Sequence, residues 1–247
     1  MELGLIGKTL SHSFSKSYFE NKFEDEKLIN HSYNLFELDS IEEFPELIKN
    51  NPNLVGLNVT NPFKETIIPF LDELDETAKE IGAVNTIKVI KKEGKTILKG
   101  FNTDAKGFAL SIKPFLKNTH ERALILGTGG ASKAVNYVLN NLGINSLFVS
   151  RNPTEKQINY KSINEYVMKY HKLVINTTPL GMSPNENSFP AIPYKLLNES
   201  HTLIDLVYNP ERTEFLTKGK QEGTEILNGL SMLQHQANEA YKIWSSL

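Results

Sequence analysis

A single lysine follows an apolar run at the point where a strand should end. Residues 54–57 predict a buried strand, and Asn61 with Pro62 should end its pairing because proline donates no backbone hydrogen bond. Lys64 then lies just beyond the strand terminus, where open α/β sheets bind their ligands. Its amine is a candidate proton donor or fixed cation for a substrate. Taken alone, Lys64 fits a solvated surface loop equally well.

A second candidate site is a glycine cluster that follows another apolar strand pattern, residues 122–126. The loop consists of Gly127, Thr128, Gly129, Gly130 and Ala131. Glycines allow a tight turn and a close approach of the backbone, and the start of the following helix presents free amides to a pyrophosphate. Ser132 occupies the last glycine position of the usual G-x-G-x-x-G pattern, so a purely structural strand-to-helix turn is the alternative.

The next predicted strand ends at Ser150 and Arg151, where a NAD-binding fold would place an acidic residue for the ribose 2′-hydroxyl. A guanidinium and a hydroxyl can instead bind a 2′-phosphate. The sequence therefore favours NADP over NAD. The alternative is a surface arginine that merely flanks a strand.

The elements that must position these residues alternate between strand and helix patterns. In the first hundred residues, short apolar runs occur at 3–6, 34–36, 54–59, 86–90 and 96–98, with helical patterns between several of them. The last two runs should form a hairpin through Glu93 and Gly94. This half therefore reads as an α/β unit.

The second half has brief continuous apolar runs, typical of buried parallel strands. They lie at 123–126, 147–149, 173–175 and 203–207. The boundary between the halves is expected near Asp104, with a helix over 107–116. A final helix is expected from Leu230 to Trp244, with one apolar stripe packed against the body.

Composition excludes several classes of function. The 247 residues carry 27 basic and 29 acidic side chains, a net charge of −2, which gives no electrostatic case for nucleic acid or membrane. With no cysteine there is no disulfide, thiol catalysis or thiolate metal site. No basic leader, long apolar segment or H-E-x-x-H pattern is present, so we expect a cytoplasmic protein with a small-molecule partner and no metal.

Dispersed motifs in the same order make the chain resemble the shikimate dehydrogenase family across essentially its full length. They are H-S-x-S at 12–15, N-V-T-x-P-x-K at 58–64, G-A-x-N-T at 82–86, N-T-D at 102–104, the glycine loop at 127–132, N-T-T-P at 176–179, D-x-x-Y-x-P at 205–210 and G-L-x-M-L-x-x-Q at 229–236. Two departures are Lys16, where a proline usually follows the second serine, and Gly7-Lys8-Thr9 in place of G-x-P.

The resemblance implies an enzyme that uses NADPH to reduce 3-dehydroshikimate to shikimate, reversibly, on the route to chorismate and the aromatic amino acids. It implies an α/β fold in which an N-terminal α/β substrate domain, residues 1–103, is completed by 232–247 of the returning C-terminal helix. Residues 104–231 would form a Rossmann-type doubly wound NADP-binding domain, with a cleft between the two domains.

The resemblance also assigns roles to individual residues. Lys64 and Asp104 would be catalytic. The substrate would contact Ser13, Ser15, Thr60, Lys64, Asn85, Asp104, Tyr208 and Gln236. The cofactor would contact Gly127, Thr128, Gly129, Gly130, Ala131, Ser150, Arg151, Asn176, Thr177 and Gly229.

The serine pair and the pair of Lys64 with Asp104 also have a physical basis for their assigned roles. Ser13 and Ser15 lie two residues apart, so in an extended stretch both hydroxyls would face one side and bracket a carboxylate, although such a pair can also cap a helix. Asp104 would orient the Lys64 ammonium. Because an acidic partner also stabilises the ammonium form, Lys64 either shuttles the proton or only stabilises charge on the substrate oxygen.

Other functions stay open from the sequence. The nearest is a quinate/shikimate dehydrogenase with a broader substrate range or NAD use. A non-catalytic nucleotide or metabolite sensor on the same fold is a second, against which the intact Lys64 and Asp104 argue. The sequence does not decide between a monomer and a homodimer.

Overall fold

The computed structural model describes residues 1–10 and 13–246 and divides into two compact units. The first unit consists of Met1–Thr103 with Ala237–Leu247, and the second of Asp104–Gln236. His12 of the H-S-x-S motif lies outside the described residues. The domain limits predicted from the sequence, 1–103 with 232–247 and 104–231, stay a prediction about functional domains.

The first unit is built on a six-stranded mixed sheet with the order β2-β1-β3-β5-β6-β4. Its elements are β1 (Glu2–Gly7), α1 (Phe14–Asp25), β2 (Ser32–Glu37), α2 (Phe44–Asn50), β3 (Leu54–Val59), β4 (Glu73–Leu74), α3 (Glu76–Ile81), β5 (Thr86–Lys92) and β6 (Lys95–Phe101). Strands β1, β2 and β3 are parallel, whereas β5 pairs antiparallel with both β3 and β6. The carboxyl ends of β1 and β3 therefore lie at the same edge of the sheet.

The predicted hairpin between β5 and β6 is confirmed. Lys92 pairs with Lys95, and both turn residues, Glu93 and Gly94, have positive φ angles of 52° and 76°. Two consecutive left-handed residues give a turn whose twist matches that of the flanking strands.

The end of the chain packs into the first unit, as predicted. Ala237, Ala240 and Trp244 join a buried cluster with residues of β1, α1 and β2. The Trp244 indole donates a hydrogen bond of 2.9 Å to the Ile87 carbonyl oxygen, and its ring occupies the space where a side chain at Gly56 would lie. A glycine in the middle of β3 thus makes room for the Trp244 side chain.

The second unit contains a six-stranded parallel sheet with the order β12-β11-β10-β7-β8-β9. Its elements are α4 (Thr103–Ile112), β7 (Arg122–Leu126), α5 (Gly130–Asn141), β8 (Asn145–Val149), β9 (Gln157–Ile158), α6 (Glu165–Tyr170), β10 (Leu173–Asn176), β11 (Thr202–Asp205), α7 (Glu214–Gln221), β12 (Glu225–Leu227) and the start of α8 (Leu230–Ser245), which belongs to the first unit from Ala237 onward. Counted from β7, this is the 3-2-1-4-5-6 order of dinucleotide-binding sheets, in which the strand order reverses between β7 and β10. The predicted α/β fold with a Rossmann-type second half is confirmed.

Two element boundaries predicted from the sequence were wrong. Helix α4 begins at Thr103 rather than at Gly107, because the Asn85 side chain accepts a hydrogen bond of 2.6 Å from the Thr103 amide and so caps the helix. Strand β11 ends at Asp205 rather than at Val207, because the Asp205 carboxylate accepts the Val207 amide at 3.0 Å and turns the chain. No helix among the described residues combines the length and apolar character needed to span a membrane.

Candidate functional site

Lys64 lies in a turn that is fixed by backbone hydrogen bonds and one buried aromatic ring. The Thr60 amide donates to the Ile6 carbonyl oxygen at 2.9 Å, and the Phe63 amide donates to the Thr60 carbonyl oxygen at 2.9 Å. Phe63 is buried in the core of the first unit, and the Lys64 carbonyl oxygen accepts the Val84 amide at 2.7 Å. The half-buried lysine is therefore held on a defined backbone beyond the carboxyl end of β3.

Amide and hydroxyl side chains form a buried network beside this turn. The Asn58 amide group donates to the Asn85 carbonyl oxygen at 3.1 Å and to the Thr86 hydroxyl at 3.2 Å. The Thr86 hydroxyl lies 3.0 Å from the Thr103 hydroxyl, which also accepts the Asn85 amide at 3.0 Å. These bonds connect the ends of three segments, β3, β5 and β6, and fix the orientation of Asn85.

Tyr33 extends the network to the start of α1. Its hydroxyl donates to the Asn58 side-chain oxygen at 2.7 Å, and its ring stacks on Phe19. Burial raises the pKa of Tyr33 well above its usual range, and a hydrogen bond with the Ser15 side chain opposes that shift. Buried polar side chains of the first unit thus connect two of the predicted substrate residues, Ser15 and Asn85.

Of the two geometries open for the serines, an extended pair and a helix cap, the structure has the helix cap. Helix α1 already begins at Phe14, with Ser13 as its N-cap residue, and the Ser13 hydroxyl accepts the Ser15 amide at 3.3 Å. Ser13 is therefore the capping residue, and Ser15 lies in the first turn. Their proposed contact with a substrate carboxylate stays a prediction.

Asp104 and Gln236 are positioned by two helices of the second unit. Asp104 lies in the first turn of α4 and Gln236 on α8, and both side chains are largely buried. A side chain at Gly107 would meet the Met232 carbonyl oxygen at 2.7 Å and Gln236 Cβ at 2.9 Å. The helices can approach this closely only because residue 107 is a glycine. The predicted pairing of Asp104 with Lys64 joins residues of different units and stays a prediction.

The glycine loop has the features of an anion site at a helix start. Gly127 has a φ angle of 113°, and a side chain there would meet the Thr177 hydroxyl at 2.7 Å. Helix α5 follows, with Gly129 as an N-cap that offers no side-chain hydrogen bond and with no acidic residue in the first turn. Thr128 and Gly129 are exposed, and nothing lies within 4 Å of where a Gly129 side chain would be. Free amides at an open helix N-terminus suit a pyrophosphate.

The end of the neighbouring strand β10 closes one side of this loop. The Thr177 amide and hydroxyl both donate to the Leu126 carbonyl oxygen, at 3.0 Å and 2.7 Å. The Asn176 side chain is fully buried and forms hydrogen bonds with Asp205, Leu180 and Thr178. Asn176 therefore shapes the turn, whereas its predicted contact with the cofactor stays a prediction.

Ser150 and Arg151 follow β8, the strand beside β7, as predicted. The Ser150 hydroxyl accepts the Asn152 amide at 3.2 Å, and Arg151 is exposed. Burial raises the pKa of Tyr160, and the Arg151 charge opposes this shift, so the tyrosine lies within electrostatic reach of the guanidinium. An exposed guanidinium beside the carboxyl end of β8 is suited to a phosphate that must enter from solvent.

Gly229 has a structural role that its predicted cofactor contact does not require. Its amide donates to the Val207 carbonyl oxygen at 3.1 Å, and a side chain there would overlap the Leu206 backbone, with the carbonyl oxygen at 2.1 Å. This contact holds the chain before α8 against the segment that carries the half-buried Tyr208.

Three polar residues that carry much of this geometry were not among the predicted site residues: Tyr33, Asn58 and Asp205. Asn58 had a visible signal, since it is a polar residue inside an apolar strand run. Asp205 begins the D-x-x-Y-x-P motif, which gave it no role, and its partner Asn176 is distant in sequence. Tyr33 also acts through a distant partner, Asn58, and no local pattern reveals it. The described residues contain no group of three or more His, Asp or Glu side chains able to hold a metal ion.

The fold and these residues define an α/β protein with a dinucleotide-binding sheet and a polar, lysine-bearing strand edge. Comparison with known proteins narrows the class. The model of the shikimate dehydrogenase substrate binding domain matches residues 5–87. An NADP(+) shikimate dehydrogenase from Methanosphaera stadtmanae is 37% identical over 262 residues, which cover 98% of this chain and 90% of the relative.

Solved structures of shikimate dehydrogenases are similar to this chain over its full length. A shikimate dehydrogenase in complex with NADP+ superposes with a TM-score of 0.86 and 32% identity, covering 100% of this chain and 90% of that one. The enzyme from Thermus thermophilus, in complex with NADP(H) and shikimate, gives a TM-score of 0.85 and 30% identity, covering 100% and 94%. The chain belongs to the shikimate dehydrogenase family.

Proposed function

We propose that this protein is an NADP-dependent oxidoreductase that reversibly reduces 3-dehydroshikimate to shikimate on the route to chorismate and the aromatic amino acids. The observation that carries the proposal is the full-length similarity to a structure that holds both NADP(H) and shikimate. The geometry of each unit supports it independently. One unit offers a polar strand edge with a fixed lysine, and the other an open helix N-terminus beside a glycine turn.

The second unit fits NADP(H). The uncapped start of α5 would hold the pyrophosphate through the amides that follow Gly129, and Arg151 with Ser150 would hold the 2′-phosphate. When bound, the cofactor supplies or accepts the hydride. The residues of the chain bind it, orient it and leave room for it.

The substrate residues of the first unit present hydroxyl and amide groups that suit a polyhydroxylated carboxylic acid. Ser13 and Ser15 would bind the carboxylate, and Thr60 and Asn85 would bind ring hydroxyls. The buried network from Tyr33 to Thr103 holds Asn85 in place before substrate arrives, which lowers the ordering cost of binding. Tyr208 and Gln236 of the second unit would add further polar contacts.

Lys64 is the residue that would act on the reacting oxygen of the substrate. Reduction of a ring ketone leaves negative charge on oxygen, and a nearby ammonium stabilises that charge and can supply the proton. Asp104 would orient the ammonium and, in the oxidative direction, help to accept the hydroxyl proton. The proton shuttle and the purely electrostatic role of Lys64 predict the same site and differ only in which group carries the proton.

The test is turnover of the purified full chain with shikimate and NADP+, followed by the absorbance of the reduced nicotinamide. We expect turnover with NADP+ and much less with NAD+. Quinate serves as the parallel substrate, because rates comparable to those with shikimate would favour the broader quinate/shikimate enzyme. NADP+ binding without turnover of either acid would instead identify a sensor and overturn the proposal.

Independently of the chemistry, we expect a cytoplasmic location and either a monomer or a homodimer. Cell fractionation tests the first, and the molar mass in solution measured by light scattering tests the second.

A further inference from the structure

Asp205 is a fully buried carboxylate that the proposed chemistry leaves without a role. It ends β11 and accepts hydrogen bonds from three different segments of the second unit. The donors are the Asn176 amide group at 2.9 Å, the Val207 backbone amide at 3.0 Å and the Thr213 hydroxyl at 2.6 Å. Burial of an aspartate costs free energy, so the role of Asp205 is to be sought in the segments that its hydrogen bonds hold in place.

The first bond leads to the glycine loop. Asn176, held by Asp205, accepts the Thr178 amide at 3.1 Å and the Thr178 hydroxyl at 2.6 Å through its own side-chain oxygen. The turn so formed contains Thr177, whose hydroxyl is bonded to Leu126 and fills the space above Gly127. Asp205 thus orients an amide that sets the wall of the nucleotide site.

The second bond leads to the segment that carries Tyr208. Asp205 holds the Val207 amide, and the carbonyl oxygen of the same residue accepts the Gly229 amide at 3.1 Å. Tyr208 and Gly229 are both predicted ligand contacts. One carboxylate therefore fixes two stretches of chain on which predicted contacts lie.

The third bond is of a different kind. The Thr213 hydroxyl caps α7, and a side chain added at Gly181, whose φ angle is 91°, would lie 3.1 Å from Thr213 Cβ. This branch secures a helix rather than a predicted contact. Burial raises the pKa of Asp205 to about 6, while the three donors favour its ionised form, so the carboxylate is charged at neutral pH.

We propose that Asp205 is a positioning residue for the NADP site: its carboxylate holds the turn at 176–178 and the segment at 206–208 in the arrangement that binds the cofactor. This inference rests on the proposed function. It predicts that loss of the carboxylate weakens cofactor binding more than substrate binding, because Asn176, Thr177 and Gly229 are predicted cofactor contacts, whereas Tyr208 is the one predicted substrate contact on these segments.

The test is Asp205→Asn in the full chain, with dissociation constants and KM values for NADP+ and shikimate measured separately. An asparagine has one acceptor oxygen, so its amide nitrogen must face either the Asn176 and Val207 donors or the Thr213 hydroxyl, and the charge that strengthens all three bonds is lost. We expect the dissociation constant and KM for NADP+ to rise about tenfold, the effect of losing one hydrogen bond to a charged group, and KM for shikimate at saturating NADP+ to rise by a smaller factor.

The matched control is Thr213→Val, which removes a donor to the same carboxylate on the α7 side. It should lower the thermal midpoint while leaving KM for NADP+ within about twofold. The exchange variant Asn176→Asp with Asp205→Asn again pairs a carboxylate with an amide, and it should recover part of the lost affinity. If Asp205→Asn does not fold, Asn176→Ser, which removes the same bridge, should raise KM for NADP+ alike.

The outcomes separate the two proposals. If the wild-type protein oxidises shikimate with NADP+ but Asp205→Asn, or Asn176→Ser in its place, only loses thermal stability and keeps the wild-type KM for NADP+, the positioning role is overturned and the function stands. If the wild-type protein neither binds NADP+ nor oxidises shikimate, the proposed function fails and the inference fails with it.

Discussion

Replacing Lys64 with alanine should slow shikimate oxidation far more than it weakens NADP+ binding. The ammonium would act on the substrate oxygen as charge develops, so its removal raises the barrier rather than changing cofactor contacts. We expect kcat to fall by a factor of about 10² to 10⁴, with the dissociation constant for NADP+ within about twofold. Steady-state kinetics and a cofactor titration measure the two quantities.

Lys79→Ala is the matched control for this prediction, because Lys79 is an exposed lysine on α3 of the same unit. Its rate should equal that of the wild type. If Lys64→Ala retained the wild-type rate, another group would have to stabilise the oxygen and donate the proton, and the assignment of Lys64 would be wrong.

Replacing Arg151 with alanine should reduce the preference for NADP+ over NAD+. The guanidinium would form a charge-assisted bond with the 2′-phosphate, which NAD+ lacks. We expect kcat/KM for NADP+ to fall by a factor of about ten or more, and kcat/KM for NAD+ to change little.

Arg212→Ala is the control, since Arg212 is an exposed arginine of the same unit outside the predicted site. An equal loss with both cofactors in Arg151→Ala would contradict recognition of the 2′-phosphate. It would point instead to a general effect on the dinucleotide site.

Residue types in the sequence predicted the chemistry better than the local geometry. Lys64, the glycine loop and Arg151 lie at strand ends, as their spacing after apolar runs predicts. For Ser13 and Ser15 the sequence left an extended pair and a helix cap open, and the helix starts one residue after Ser13. An extended pair and a capped first turn have the same residue types, and only the backbone distinguishes them.

At the scale of elements, Gly107→Ala should destabilise the second unit and disturb Gln236. The added methyl group would lie 2.7 Å from the Met232 carbonyl oxygen, closer than van der Waals contact allows, so α4 and α8 must separate. We expect a loss of about 1–3 kcal/mol in the free energy of unfolding and a higher KM for shikimate. Urea denaturation and kinetics measure these effects.

Lys106→Ala tests the same helix at an exposed position and should leave stability within about 0.5 kcal/mol of the wild type. An alanine at position 107 that stabilised the protein, as helix propensity alone predicts, would show that the helices can separate without cost.

The strands that the sequence revealed are those with continuous apolar runs, such as β3, β7 and β10. Strands β4, β9 and β12 were not predicted, because two or three residues are too few to show a period. All three are edge strands of their sheets. The start of α4 was likewise set by a tertiary hydrogen bond from Asn85 rather than by a local signal.

At the scale of the whole molecule, the two units hold different parts of the proposed reaction. The first carries Lys64 and most of the residues expected to bind the acid, whereas the second carries the glycine loop and Arg151 together with Asp104, Tyr208 and Gln236. Binding of cofactor and substrate can therefore be weakened separately by substitution. This separation is what allows the tests of Lys64, Arg151 and Asp205 to be told apart.

The whole molecule should also lose stability as the pH falls below about 6.5, because buried histidines resist protonation. Burial lowers the pKa of His120, His171 and His201, and the His120 and His201 side chains are only 3% and 1% exposed. The unfolded chain then takes up protons at a higher pH than the folded chain. Their contribution to stability is complete above about pH 6.5 and is lost as the pH falls through the folded values.

Asp205 acts in the opposite direction. Its raised pKa of about 6 means that the folded chain binds this proton more tightly than the unfolded chain, so its contribution grows as the pH falls below about 6. Three histidines against one carboxyl group should give a net loss in urea unfolding measured between about pH 8 and about pH 5. His201→Gln should flatten the decline, and Asp205→Asn should steepen it. Parallel profiles for His201→Gln and the wild type would contradict a role for this histidine in acid sensitivity.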